Sequence, residues 1–84
     1  MDVPALVTLA TALADGTRLQ VLELANGQSC ITEIARRLNI TTPTTSYHLR
    51  LLARARLITM ERHGRRSVPR RVEDGVRILI RSLG

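Results

Sequence analysis

The 84-residue chain contains no Lys, no Trp and no Phe, a single tyrosine, Tyr47, and a single cysteine, Cys30. One cysteine excludes an intramolecular disulfide. The chain lies just above the ~70–80 residues below which domains lean on disulfides, metals or self-association, which makes self-association the expected support. So short a chain builds one hydrophobic core, and residues 1–84 are expected to form a single domain. No apolar run approaches the ~20 residues that span a bilayer, and the start lacks the basic stretch of a secretory signal. The basic segment also lacks the Trp or Phe that anchors an interfacial helix. A cytoplasmic chain with no membrane partner is expected.

What is abundant is arginine. Thirteen Arg stand against seven acids, for a net charge of +6, and between Arg36 and Arg71 Glu61 is the only acid. A basic field this concentrated attracts a polyanion. The guanidinium fork also matches phosphate oxygens and guanine edges better than an ammonium does.

Apolar spacing lays out the elements. Val3, Leu6, Val7, Ala10 and Leu13 recur at helical spacing behind Pro4, which a first turn tolerates. Asp15 is placed to cap a second helix carrying Leu19, Val21, Leu22 and Leu24, which stops at Asn26-Gly27. Ser29 to Ile31 is expected to be a short extended piece. Thr32 is expected to cap a helix from Glu33 to Leu38, with Ile34, Ala35 and Leu38 inward. Asn39-Ile40 makes a turn, and Thr41 caps a further helix with Pro43 in its first turn. Leu57–Arg62 and Arg66–Val72 flank His63-Gly64-Arg65 as a β-hairpin, in which Pro69 confines the second strand to an edge or ends it early. A last helix from Glu73 or Asp74 presents Val76, Leu79, Ile80 and Leu83 as a narrow apolar stripe. The order helix, helix, strand, helix, helix, hairpin, helix is mainly α with a small β-hairpin, and describes a winged helix-turn-helix.

The helix after Thr41 carries the candidate chemistry. Thr45, Leu49 and Leu52 are expected to face the core, which leaves Thr42, Thr44, Ser46, Tyr47, His48 and Arg50 for solvent or DNA. Hydroxyls reach phosphates or base edges, and threonine methyls meet thymine methyls. A hydroxyl bonded back to its own helix is the competing reading for Thr44 and Ser46, and local pairing on the helix surface competes for His48. Arg62, His63, Arg65 and Arg66 surround the hairpin tip, where they would follow the backbone or probe a minor groove. Arg36 and Arg37 lie on the helix that crosses the phosphates in a helix-turn-helix.

Two segments resemble a known family. Ala12-Leu13-Ala14-Asp15-Gly16-Thr17-Arg18-Leu19-Gln20-Val21-Leu22 is similar to the opening segment of ArsR/SmtB repressors, and Leu38 to Ile58 is similar, without a gap, to their helix-turn-helix. The resemblance implies a homodimeric, cytoplasmic repressor that binds double-stranded DNA at palindromic operators, with Thr42, Ser46, Tyr47 and His48 on DNA-contacting positions. Residues 3–14 and 74–83 would be the dimerisation helices, through Leu6, Leu9, Leu13, Val76, Leu79, Ile80 and Leu83. Members often release DNA on binding metal, but this chain departs from both common sites. Cys30 is followed by Thr32 where a Cys-x-Cys pair is needed, and the last helix offers Glu73 and Asp74 without a histidine. A zinc-like ion needs three or four close ligands, so no metal and no cofactor is expected, and Cys30 reads as a small buried hydrophobe. Arg56 stands where the family usually has Gly, which predicts a strained or reshaped turn.

An enzyme is not expected. Ser46 and His48, two apart on a helix, point to different faces, and no glycine-rich phosphate loop is present. The sequence therefore points to a sequence-specific DNA-binding regulator, a homodimeric repressor without bound metal. The alternatives are a winged protein-interaction or antitoxin-like module, and a ligand or thiol sensor with an atypical site.

Overall fold

The computed structural model describes residues 3–72, so the last predicted helix, with Val76, Leu79, Ile80 and Leu83, lies outside the described residues. Four helices are followed by a hairpin: α1 (Val3–Leu13), α2 (Gly16–Leu24), α3 (Ile31–Leu38), α4 (Thr42–Arg54), β1 (Ile58–His63) and β2 (Arg66–Arg71). This is the winged helix-turn-helix order.

Every helix packs on one core built from Ala12, Val21, Leu22, Ala25, Ile34, Leu49, Leu52, Leu57 and Ile58. In α1 the inward residues are Ala12, with Leu9 and Leu13 against it. The stripe anticipated from spacing is turned outward at its start, where Val3, Leu6 and Val7 keep 73%, 55% and 58% of their surface. In α2 the Asp15 side chain accepts the Arg18 N–H at 3.0 Å as N-cap, which holds its carboxyl below the usual range. This helix ends at Leu24, before the Asn26-Gly27 pair. Asn26 Oδ1 accepts the Gln28 and Ser29 N–H groups and turns the chain, while Gly27 adopts φ +80°, where a Cβ would run into the Arg70 guanidinium.

The next helix starts earlier than Thr32 predicts. α3 begins at Ile31 with Cys30 as its N-cap residue, and Glu33 Oε1 accepts the Cys30 N–H at 3.5 Å. The earlier start brings Ile31 into the stripe of Ile34, Ala35 and Leu38 at i, i+3, i+4 and i+7, all packed inward. No strand forms over Ser29 to Ile31; the extended pairing falls instead at Asn26, bridged to Arg70. Asn39 closes α3 in the left-handed region at φ 55°, with Ile40 N–H donating to Ala35 O at 3.0 Å.

Thr41 caps α4 as predicted, accepting the Thr44 N–H at 3.1 Å, and Pro43 sits in the first turn. Past α4, Arg56 takes φ +60° and Leu57 N–H returns to Leu52 O at 3.0 Å. The left-handed residue expected from the missing glycine is therefore present, and it turns the chain so that Leu57 is buried.

β1 and β2 pair antiparallel from Ile58 opposite Arg71 to His63 opposite Arg66. Gly64, at φ +65°, is the first residue of the two-residue turn. Pro69 neither ends β2 nor leaves its outer side bare: Pro69 O accepts the Gly27 N–H, and Arg71 N–H donates to Ala25 O, both at 2.9 Å. Proline fits there because that side of the strand asks it only for a carbonyl.

Candidate nucleic-acid interface

α4 turns one face into the core and leaves the other outside. Thr45, Leu49 and Leu52 are buried as spacing predicts, and Thr42, Thr44 and Arg50 are exposed, with Tyr47 half exposed. The Thr44 hydroxyl accepts from Thr41 Oγ1 at 2.8 Å, so it is bonded locally and keeps its own proton for a further acceptor. Ser46 is half-buried and lines a cleft of about 190 Å³ with Ile31, Leu49, Arg50, Ala53 and Met60, between α3, α4 and β1.

His48 is the clear correction. Expected on the solvent or DNA face, it is only 6% exposed, and its Nδ1 accepts a hydrogen bond from Arg18 Nε at 3.1 Å. The reason lies in the spacing: positions 45, 48, 49 and 52 form one i, i+3, i+4, i+7 stripe, and His48 belongs to it. Arg18 was missed for the same cause. It shares a stripe with Val21, Leu22 and Ala25, and is also 6% exposed.

The hairpin sorts its cations. Arg65, at the tip, is exposed and its side chain engages no partner among the described residues. Arg66 instead reaches back to pair with Glu33 of α3 and to donate to Gln28 O at 3.2 Å, so it anchors the wing rather than extending it. Hydrogen bonds from Cys30, and then Arg66, hold the Glu33 carboxyl below its ordinary range. Arg62 reaches Ser67 Oγ at 3.5 Å and stays exposed. Glu61 Oε2 accepts from Arg70 Nε at 2.7 Å, and Glu61 Oε1 lies 3.1 Å from His63 Nε2. Arg70 first, and then His63, keep the Glu61 carboxyl ionised to lower pH than usual. Arg36 and Arg37 are exposed in the last turn of α3.

The assembled surface presents hydroxyls, a phenol and a guanidinium along α4, exposed arginines on α3, and the exposed Arg65 at the wing tip. That combination suits a phosphate backbone with base edges beside it. Among the described residues no three His, Cys, Asp or Glu side chains lie together as metal ligands, and no helix is long and apolar enough to cross a membrane.

Known proteins carry the same design. The bacterial regulatory protein family arsR matches residues 15–60. The HTH-type transcriptional regulator Rv2034 of Mycobacterium tuberculosis is 45% identical over 58 residues, 68% of this chain and 54% of that protein, so the chain spans about half of that relative's length. An uncharacterized HTH-type transcriptional regulator of Methanocaldococcus jannaschii, MJ1325, is 33% identical over 72 residues, 83% of this chain and 81% of that protein. Among solved structures, the homodimeric winged helix-turn-helix DNA-binding domain of Mb0332 from Mycobacterium bovis, a possible ArsR-family transcriptional regulator, superposes with a TM-score of 0.82 at 30% identity, covering 95% of this chain and 78% of that one.

Proposed function

The chain belongs to the bacterial ArsR family of regulatory proteins, and from that premise we propose that it is a homodimeric, cytoplasmic transcriptional repressor that binds a palindromic operator without a bound metal and catalyses no reaction. The observation that carries the reading is the exposed face of α4, where Thr42, Thr44, Tyr47 and Arg50 stand clear of a core that the same helix fills with its other face. Thr42, Thr44, Ser46, Tyr47 and Arg50 would meet the major groove. Arg36, Arg37, Arg62 and Arg65 would meet phosphates, with His63 beside them.

Dimerisation is supported by the outward apolar residues of α1 and by the homodimeric state of the Mb0332 domain. Leu6 would lie in that interface, with Leu9 and Leu13 behind it and the stripe of residues 76–83 beside it. Two α4 helices related by a twofold axis would then enter successive major grooves ~34–36 Å apart. His48 and Arg66 leave the contact set, since one is buried against Arg18 and the other is committed to Glu33.

Selection of bound sequences from a random duplex pool tests the reading. An inverted repeat is the expected product. With ~6–10 phosphates neutralised, affinity should fall ~10³–10⁵-fold between 50 and 200 mM salt. Binding that ignores salt, or selection of no repeat, would overturn it. Elemental analysis of the purified repressor should find no stoichiometric metal; one zinc per chain would overturn the metal-free part alone.

A further inference from the structure

Arg18 is a buried cation with an unusual set of partners. Among the described residues it makes no ion pair; its Nε–H donates to His48 Nδ1 at 3.1 Å, and its Nη1 donates to the Thr11 carbonyl. The Asp15 carboxylate lies within coulombic reach of both Arg18 and His48 without forming an ion pair, and an apolar side chain of similar shape would avoid the desolvation of a buried guanidinium. What the arrangement supplies is orientation. α1 through Thr11, α2 through Arg18 and α4 through His48 converge on one side chain.

The same guanidinium continues to the exposed surface. Arg18 Cζ lies 5.9 Å from the Tyr47 ring centroid and Arg50 Cζ lies 6.0 Å from it, while the His48 ring stands 5.8 Å from Tyr47, tilted by 58°. Cations at about 6 Å are drawn to the ring's electron-rich face. Tyr47 has few side-chain torsions to fix, so two guanidinium groups near its ring and a tilted imidazole beside it restrict where its hydroxyl is presented.

We infer that Arg18 is a positioning residue for sequence reading: by donating to His48 Nδ1 and lying against Tyr47 it sets how α4 presents Tyr47, and so the operator's base preference, without touching DNA. The inference rests on α4 being the recognition helix. It also fixes the imidazole tautomer, because Nδ1 accepts only if the ring is neutral and its proton is on Nε2.

Arg18→Met keeps length and apolar packing while removing the donors. In the folded variant, affinity for the site selected by the wild type should fall about tenfold. Affinity for unrelated duplex DNA at the same salt should change by less than about twofold, because the phosphate-contacting charges remain. Selection from a random pool should return a broadened base preference. His48→Asn, whose Oδ1 stands where Nδ1 accepts, should keep the wild-type site, and His48→Leu should lose it. Nitrogen-15 NMR of the free wild-type protein should show His48 protonated at Nε2 and bare at Nδ1.

A folded Arg18→Met protein that selects the same site at wild-type affinity overturns the inference, as does equal weakening on every sequence, which would make Arg18 a phosphate contact. If Arg18→Met does not fold, the two His48 variants and the wild-type tautomer decide the matter. An Nδ1-protonated His48 in a wild type that still selects a repeat sinks the inference alone. A wild type that selects nothing sinks the recognition-helix reading and this inference with it.

Discussion

α1 and α4 fill the same core from different sides, yet their outer faces are opposites. α1 sends in Leu9, Ala12 and Leu13 and leaves Val3, Leu6 and Val7 bare; α4 sends in Thr45, His48, Leu49 and Leu52 and leaves threonines, Tyr47 and Arg50 outside. An inward face reports only how a helix is held. The outward face reports what it is held for, and here it distinguishes a surface suited to a second apolar surface from one suited to a polyanion.

The largest expected break in this contrast is Leu6→Glu. If the outer face of α1 joins two copies, the variant sediments as a monomer and loses ~10²-fold or more of operator affinity, because the second half-site is no longer tethered. The subunit still folds, since Leu6 is exposed in the single chain, and its thermal midpoint falls below that of the wild type only by what dimerisation contributes, a gap that widens with wild-type concentration. A dimer that persists would remove α1 from the interface.

On the other side of the contrast, Tyr47→Ala and Arg65→Ala should part company. Loss of Tyr47 changes the selected bases and costs about 1–3 kcal/mol on the original site, whereas loss of Arg65 weakens all sequences alike and lowers the salt slope by about 1. An unchanged selected site for Tyr47→Ala would exclude it from base reading.

Smaller effects test the joints that hold α4 and the wing in place. Arg56→Gly should raise stability by up to about 1 kcal/mol, less the entropy that glycine adds to the unfolded chain, and a raised urea midpoint at unchanged slope would show it. Smallest is the effect of the Glu33 carboxylate, held by the Cys30 hydrogen bonds and then by Arg66. A carboxylate whose folded pKa is lowered adds stability above its unfolded value, about 4.3, and that stability fades as pH falls through the lower folded value. Thermal melts of the wild type should therefore drop more steeply below about pH 4.3 than those of Glu33→Gln. Parallel curves would show that the Glu33 carboxylate contributes nothing in solution through Cys30 or Arg66.

Much of this molecule is legible in its sequence, and the places where it is not share a cause. The caps at Asp15 and Thr41, the turn at Asn39 and the left-handed residue at Arg56 follow from local chemistry, because a cap or a turn is specified by a few adjacent residues. His48 was legible from spacing, but its polarity drew it toward the surface; a stripe that already held Thr45 was a sign that α4 buries polar groups when they find partners. Arg66 could not be read locally, since Glu33 lies 33 positions away and nothing near the hairpin distinguishes Arg66 from Arg65. Cys30 is no obvious cap for α3, because hydroxyl, carboxylate and carboxamide residues are the usual choice, and it is Ile31's need for burial that moves the boundary ahead of Thr32. At Pro69 the sequence shows the missing donor but not the carbonyl that the strand contributes to Gly27, far away along the chain.

The root of the wing is held twice, by the backbone bonds that join β2 to residues 25 and 27 and by Arg66 on α3. Very little of it is left to be ordered when a partner arrives. Within the wing, the conformational entropy lost on association would then fall on exposed side chains such as Arg62 and Arg65, on the order of 0.5–1.5 kcal/mol for each side chain immobilised. The wing's share of the heat-capacity change would track the area that it buries at the contact, without the added signature of the hairpin folding as it binds.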